Sequence, residues 1–276
     1  MSNRSADLPL GKPTTYRDAY DPGLLCPFPR APKRNELGLT EALPFAGFDL
    51  WNAYELSWLT PGGKPVVAMA EFRFPSISPC LVESKSFKLY LNSLNQKCFA
   101  GFDAVAALLE RDLAAASGAP VTVVLQPLAA YSGTPLVDLP GRCLDDLDVT
   151  IEHYALAPEL LAGAADPSQT VAETLHSHLL KSNCLVTRQP DWASVLVRYR
   201  GPRIDPAALL RYLVSYRNHS EFHEQCVERI FVDLLHHCRP EQLTVYARYT
   251  RRGGLDINPF RSNFETDIPN WRLARQ

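Results

Sequence analysis

"ESKSFKLYLNSLN" at residues 83–95 and "DPAALLRYLVSYR" at residues 205–217 decide how the chain is organised. Laid over one another at a shift of 122 positions (83 on 205), Tyr90 meets Tyr212, Leu91 meets Leu213 and Ser93 meets Ser215. Each stretch carries apolar residues at helical spacing. Asp205 followed by Pro206 reads as an N-cap with proline at the first helical position. The same shift pairs Val105 with Val227, Leu108 with Ile230 and Leu109 with Phe231 in a second helical pattern. One shift shared by two helices points to a duplicated module.

Strand patterns recur around these helices in the same order. "WNAYELSWLT" (51–60) and "KPVVAMAEFRF" (64–74) flank the turn "PGGK". Asp103 is expected to cap "AVAALLERDLAAAS" (104–117), which Gly118 and Pro120 stop, and "PVTVVLQPL" (120–128) follows as a strand. In the second half, "HSHLLKSNCLVT" (176–187) and "ASVLVRYRG" (193–201) read as strands. "EFHEQCVERIFVDLLHHC" (221–238) reads as a helix striped by Phe222, Cys226, Ile230 and Leu234, with Asn218 or Ser220 as its cap. "LTVYARYT" (243–250) closes the half as a strand. The expected fold is α+β, two modules that each place helices on one face of an antiparallel sheet. Residues 1–45 read as a proline-rich extended arm, 46–140 as the first module and 141–276 as the second.

The bulk properties bound the function. The chain has 276 residues, 46% of them hydrophobic and 21% charged, with a net charge of −2. That balance gives no reason to expect binding to nucleic acid or to an anionic membrane. No stretch approaches the ~18 apolar residues of a membrane span, and the first residues lack an apolar signal core. A cytoplasmic protein is expected. The seven cysteines are odd in number and irregularly spaced, with no CxxC. Reduced thiols, most of them small buried residues, fit better than a disulfide framework or a zinc ribbon.

Four groups offer chemistry. Cys184 is either a buried structural thiol or a nucleophile, with Ser182, Asn183 and Thr187 beside it and Asp191 in the loop that follows. A thiolate adds to an electrophilic carbon, and a nearby acid protonates the atom that gains charge. His223 and Glu224 open the 221–238 helix. Glu224 either favours the helix dipole or holds a polar heterocycle through paired N–H bonds. Glu83, Ser84, Lys85 and Ser86 either cap a helix or offer a carboxylate to a ligand's N–H edge, with hydroxyls and a cation for phosphate. Arg251, Arg252, Gly253 and Gly254 make a basic turn suited to an anion. His176, His178, Cys184 and His223 raise zinc as a question, but the thiol spacing of a zinc site is missing and no metal is expected. No G-x-G-x-x-G follows a strand and no G-x-x-x-x-G-K-[ST] occurs, so neither a Rossmann nor a P-loop nucleotide site is supported.

Four long motifs then align with one family. "VESKSFKLYLNSLN", "HSHLLKSNCLVTRQPDW", "YLVSYRNHSEFHEQCVERIFVDLL" and "YTRRGGLDINPFRS" resemble the NADPH-dependent 7-cyano-7-deazaguanine reductases of queuosine biosynthesis, in their long two-module form. The resemblance covers nearly the whole chain. It implies two tandem tunnelling-fold modules, a homodimer, NADPH as cofactor, and a small deazapurine as substrate with no direct role for nucleic acid. It implies Cys184 as nucleophile and Asp191 as proton donor. Val82, Glu83, Ser84, His223 and Glu224 match positions that hold the deazaguanine; Ser84, Lys85, Arg252 and Gly253 match positions that contact NADPH. Under the 122 shift Glu83 faces Asp205, while His223 and Glu224 face Gly101 and Phe102. Each module therefore retains a different half of the ligand-binding set. Two rivals remain: a hydrolase of the same fold using zinc or a thiol, and a non-catalytic purine-binding or RNA-binding module, the latter disfavoured by the net charge.

Overall fold

A computed structural model describes residues 19–40 and 42–276. Residues 1–18 of the expected arm, and residue 41, lie outside the described residues. The fold is mixed α+β and divides into two compact units. Of the described residues, one comprises those from 19 to Pro32, Phe48–Thr134 and Arg251–Asp256; the other comprises Lys33–Gly47, Pro135–Thr250 and Ile257–Gln276. No helix of the described residues is long and apolar enough to cross a membrane.

In the first unit, β2 (Ala46–Leu59) pairs antiparallel with β3 (Pro65–Pro75), and β3 with β5 (Thr122–Pro127). A short β1 (Pro27–Pro29) pairs with β4 (Cys80–Val82). Helices α2 (Ser84–Asn92) and α3 (Phe102–Ser117) complete it. Along β3, Ala68, Ala70, Phe72 and Phe74 are buried in strict alternation, the period-two signature of a sheet with one face on a core. Phe87 of α2 fills that face, with its ring 5.3 Å from Trp51 and 5.0 Å from Phe72.

The second unit orders its strands β10 (Leu255–Ser262), β9 (Gln242–Tyr249), β8 (Pro190–Ile204), β7 (Ala165–Asn183) and β6 (Arg142–Cys143). The pairings are antiparallel except β6 with β7. Helices α4 (Pro206–Ser215) and α5 (His223–Cys238) pack on one face, over Val195, Val197 and Tyr199 of β8. Leu196 points to the other face, where Leu139, Leu273 and Trp271 cover it. This second cover was not foreseen from the sequence.

The duplication is visible in single hydrogen bonds. Glu83 caps α2 by accepting from Lys85 N and Ser86 N, and Asp205 caps α4 by accepting from Ala207 N. Ser93 Oγ and Ser215 Oγ each donate to the carbonyl three residues back, both at 2.6 Å. Tyr90 donates to Asp112 of α3 at 2.7 Å, and Tyr212 to Asp233 of α5 at 2.6 Å. That last pair corrects the repeat register. The first helices correspond at 122 positions, but α3 and α5 begin at Phe102 and His223 and correspond at 121 (102 on 223). Val105 then matches Cys226, and Leu109 matches Ile230, all of them buried. His223 faces Phe102, and Glu224 faces Asp103. Two caps also differ from expectation. Gly101 precedes α3, leaving Asp103 inside its first turn. Phe222 precedes α5, its N–H satisfied by Gln225 Oε1 at 3.2 Å rather than by Asn218 or Ser220 acting as a cap.

Two buried carboxylates tie the second unit together. Glu228 of α5 accepts from Arg34 Nε at 2.9 Å and Nη2 at 2.7 Å, within α1 (Ala31–Glu36), and from Arg261 Nη2 at 2.8 Å on β10. All three side chains are buried, so the carboxylate compensates two desolvated guanidinium groups. Glu228→Gln should therefore lower unfolding free energy by about 3–5 kcal/mol, read as a drop in the urea midpoint. Glu221 lies just before α5. Burial alone would raise its carboxyl, but His219 and Arg229 outweigh that and hold it at about 2, against an ordinary 4.5. A depressed folded pKa gives stability that is complete above the unfolded value and lost as pH falls toward the folded one. Wild-type stability should thus fall by about 3 kcal/mol between pH 4.5 and 2 from this group. Urea midpoints across that window should show Glu221→Gln lacking this part of the acid slope.

Candidate active site

The turn between β7 and β8 places the suspected nucleophile. Ser182 pairs with Asp191 and Asn183 with Pro190, so the two strand ends close directly onto residues 184–189. Cys184 N–H donates to Gln189 O at 2.8 Å, and Arg188 N–H donates to Cys184 O at 3.0 Å. Arg188 takes a left-handed backbone (φ 58°), rare for a residue with a side chain. The thiol-bearing residue is thus gripped through both of its main-chain polar groups, and Cys184 itself is buried. Since Ser182 and Asp191 are register partners, the alternation of strand side chains puts Asp191 on the face that Ser182 and Cys184 share.

Helix α5 reaches the same corner by an added bridge. Asn183 N–H donates to His219 O at 2.8 Å and Glu221 N–H to Asn183 O at 3.2 Å, stitching the residues before α5 onto the end of β7. His223, the first residue of α5, then presents Nε2 at 3.4 Å from Asp191 Oδ2. Its ring stacks flat on Tyr249 of β9, centroids 3.8 Å apart and 2° from parallel. Glu224 is buried rather than turned to solvent, as is Gln225.

The polar accounting at this corner is incomplete in a telling way. His223 Nδ1 is buried without a partner. Ser182 Oγ and Tyr249 OH have only each other and the Cys226 thiol, a weak acceptor, within reach, and neither makes a well-formed hydrogen bond. Burial pushes the Cys226 thiol far up, and Cys238 up to about 11. Burial disfavours the thiolate in both. A buried polar atom without a partner costs about 1–3 kcal/mol, and a ligand bearing ring N–H and carbonyl groups would relieve that cost.

The first unit carries the other predicted residues. Val82 ends β4, and Glu83 N–H donates to Cys26 O at 2.9 Å. The Glu83 carboxylate is buried while capping α2, so its bland and functional readings hold the same geometry. Beside it is a cavity of about 220 Å³ lined by Glu55, Lys85, Lys88, Asn92, Asn95 and the turn glycines 253 and 254. Arg252 N–H donates to Leu255 O at 2.9 Å, and Gly253 (φ 56°) and Gly254 (φ 76°) supply the two positive dihedrals of a tight two-residue hairpin. A Cβ on Gly254 would come within 2.5 Å of Glu55, so glycine is required for this approach. Lys85 and Gly253 line the cavity, whereas Ser84 and Arg252 flank it in sequence without lining it. Sequence reasoning missed Lys88, Asn92 and Asn95, although 85, 88, 92 and 95 trace a helical spacing from Lys85. Of the zinc question's four residues, His176 and His178 come together with Cys143, and no such grouping of the described residues includes Cys184 or His223.

The chain is similar to known proteins. Residues 16–125 match the family model described as nitrile reductase, 7-cyano-7-deazaguanine-reductase N-term, and residues 190–267 match that described as QueF-like protein. The NADPH-dependent 7-cyano-7-deazaguanine reductase of Chromobacterium violaceum is 58% identical over 270 residues, covering 97% of this chain and 96% of that protein. Its namesake in Dechloromonas aromatica is 60% identical over 270 residues (97% and 95% covered), and that of Azoarcus sp. strain BH72 is 60% identical over 256 residues (92% and 90%). A gripped cysteine, an aspartate on the same hairpin face and near-complete alignment with these enzymes lead to one conclusion: the chain belongs to the 7-cyano-7-deazaguanine reductase family of nitrile reductases.

Proposed function

We propose that this chain reduces the nitrile of 7-cyano-7-deazaguanine to 7-aminomethyl-7-deazaguanine with NADPH, through a covalent thioimidate on Cys184. The observation that carries the reading is the corner itself: a buried cysteine, Asp191 on the same hairpin face, a partnerless His223 Nδ1 and the poorly satisfied hydroxyls of Ser182 and Tyr249 around them. Thiol addition solves the chemical problem. A free nitrile accepts hydride poorly, and a thioimidate accepts it better.

In this mechanism the Cys184 proton passes to a carboxylate oxygen of Asp191 as sulfur bonds to the nitrile carbon. Asp191 then delivers that proton to the nitrile nitrogen, giving C(=NH)–S. His223 Nε2 steadies the Asp191 carboxylate, and its stacking on Tyr249 fixes the ring. Two NADPH molecules would supply one hydride each, with a proton from solvent at each reduction, and Cys184 would leave as the thiol between them. Glu83 and Glu224 read N–H groups of the deazaguanine ring. Enclosure of the corner keeps water from the thioimidate and the imine.

The residues of the first-unit cavity fit part of the cofactor. Two lysines are donors for phosphate, and a Cβ at Gly254 would close the approach. The volume suits a phosphate and its sugar, not a whole dinucleotide. Lys85 and Lys88 would hold the anionic end. The tunnelling fold and a homodimer belong to the same reading. A partner surface is supported by β5, a terminal strand of its sheet, with Val67, Val124 and Leu128 exposed beside it.

Intact-mass measurement on enzyme mixed with the nitrile, without NADPH, should show an adduct equal to the substrate's mass. Cys184→Ala should show none; turnover by that variant would end the proposal. Asp191→Asn should bind the nitrile while forming the adduct roughly 10²–10⁴-fold more slowly, measured by quenched-flow mass spectrometry.

A further inference from the structure

A second group of donor atoms lies upstream on β7, outside the chemistry described above. Cys143 of β6 is the register partner of His176, and Leu144 N–H donates to His176 O at 2.9 Å, so the short strand is held directly beside β7. His178 follows two positions on, where the β7–β8 register shifts between Ser177 and Leu180. A bulge of this kind re-aims side chains. As a result the donor atoms of Cys143, His176 and His178 all lie within 4.8 Å of one another.

The two imidazoles are prepared as ligands. His176 is 96% buried (4% exposed), and its Nδ1 is 3.2 Å from the carbonyl of Pro140. A carbonyl only accepts, so Nδ1 carries the proton and Nε2 keeps a bare lone pair. That Nε2 is buried and has no partner. An imidazole whose far nitrogen donates to a backbone carbonyl is the usual arrangement around a bound metal. His178 Nδ1 is 2.7 Å from Ser194 Oγ, and its Nε2 is 3.2 Å from Asp138 Oδ1. With its Nδ1–H donated to the Ser194 hydroxyl, His178 would exchange the Nε2 contact with Asp138 for the ion. Tetrahedral zinc, with bonds of about 2.0–2.3 Å, sets its ligand atoms about 3.3–3.6 Å apart. The donor atoms, now spread over as much as 4.8 Å, need to close by about 1 Å.

Access and backbone geometry fit as well. Asp138, His178 and Ser194 line a solvent-open cavity, so an ion can enter from that side. Gly141 (φ 94°) lets the chain run against β7, for a Cβ there would lie 2.1 Å from Thr174 O. That close approach is what carries the Pro140 carbonyl to His176 and Cys143 to its place.

We infer that Cys143, His176 and His178 form a binding site for a zinc-class divalent cation, with water completing the fourth position. One thiolate and two imidazoles are the donor set of zinc and cobalt rather than of magnesium or calcium. The ion would tie residues 138–143 to β7, the strand that leads into Cys184.

The test uses zinc alone. Reduced, metal-stripped full-length protein is titrated with zinc chloride against a chromophoric chelator, and separately with cobalt(II). One equivalent should bind, and cobalt should give tetrahedral d–d bands with a thiolate charge-transfer band. Cys143→Ser and His178→Gln, both partly exposed positions, should weaken zinc binding at least tenfold and abolish the charge-transfer band. Cys184→Ala should leave both unchanged. No competition with the chelator by wild type, or equal affinity in Cys143→Ser, or loss of binding in Cys184→Ala, would each overturn the site. His176→Gln serves as a third variant if its melting temperature shows that it folds.

Discussion

The register between β7 and β8 is the constraint on which the active corner depends. Side chains alternate along a strand, so a slip by one residue would turn Asp191 to the opposite face from Ser182 and Cys184. The pairing runs from Ala165 with Ile204 to Asn183 with Pro190, and its long buried stretch fixes that choice. Val195 and Val197 face α4 and α5 while Leu196 faces the C-terminal cover, so both faces of β8 resist a slip. The left-handed Arg188 is the local cost of closing the turn, and the long ladder behind it is what holds that conformation in place.

The duplicated halves keep the scaffold and divide the chemistry. A carboxylate cap, a serine bonded back one turn and a tyrosine bolted to an aspartate recur in both. These contacts orient a pair of helices against a sheet and need nothing from a ligand. The groups with chemical potential do not recur. Glu83 is buried at its cap, whereas its counterpart Asp205 is exposed; Glu224 is buried, whereas Asp103 is exposed. Once two copies exist, each is free to lose the groups the other supplies, provided the helix bolts persist.

Periodicity made most of the elements legible. The alternation in 64–74, the helical stripes and the cap at Asp205 act within a few residues of one another and so are written locally. What stayed hidden depends on distant partners. The first half of β7, residues 165–175, is polar and largely exposed, and it is a strand because β8 pairs with it. Pro259 argues against a strand at 255–262, yet every residue there is buried in β10. The Arg34–Glu228 bond joins residues 194 apart, and no spacing rule reaches that far. The repeat register was read one residue long for the second helices, because apolar residues at 226–227 and 230–231 satisfy either shift. Cys184 stood out as a thiol beside an acid, but its role came from the resemblance of whole motifs.

Which buried polar groups are satisfied, and which are not, separates scaffold from site. Glu228 meets two guanidinium groups and Glu221 meets His219 and Arg229; both carboxylates are saturated and stabilise the unit around them. A few residues away along the same helix, His223 Nδ1 has no partner, and the Ser182 and Tyr249 hydroxyls have only each other and the Cys226 sulfur beside them. Each such atom costs about 1–3 kcal/mol in the free protein. A sequence selected for stability alone would fill these positions with apolar residues of the same shape. Keeping them beside a gripped cysteine makes sense if a planar, hydrogen-bonding ring completes them on binding, so that stability given up by the free chain returns as affinity where the thiol must meet its carbon.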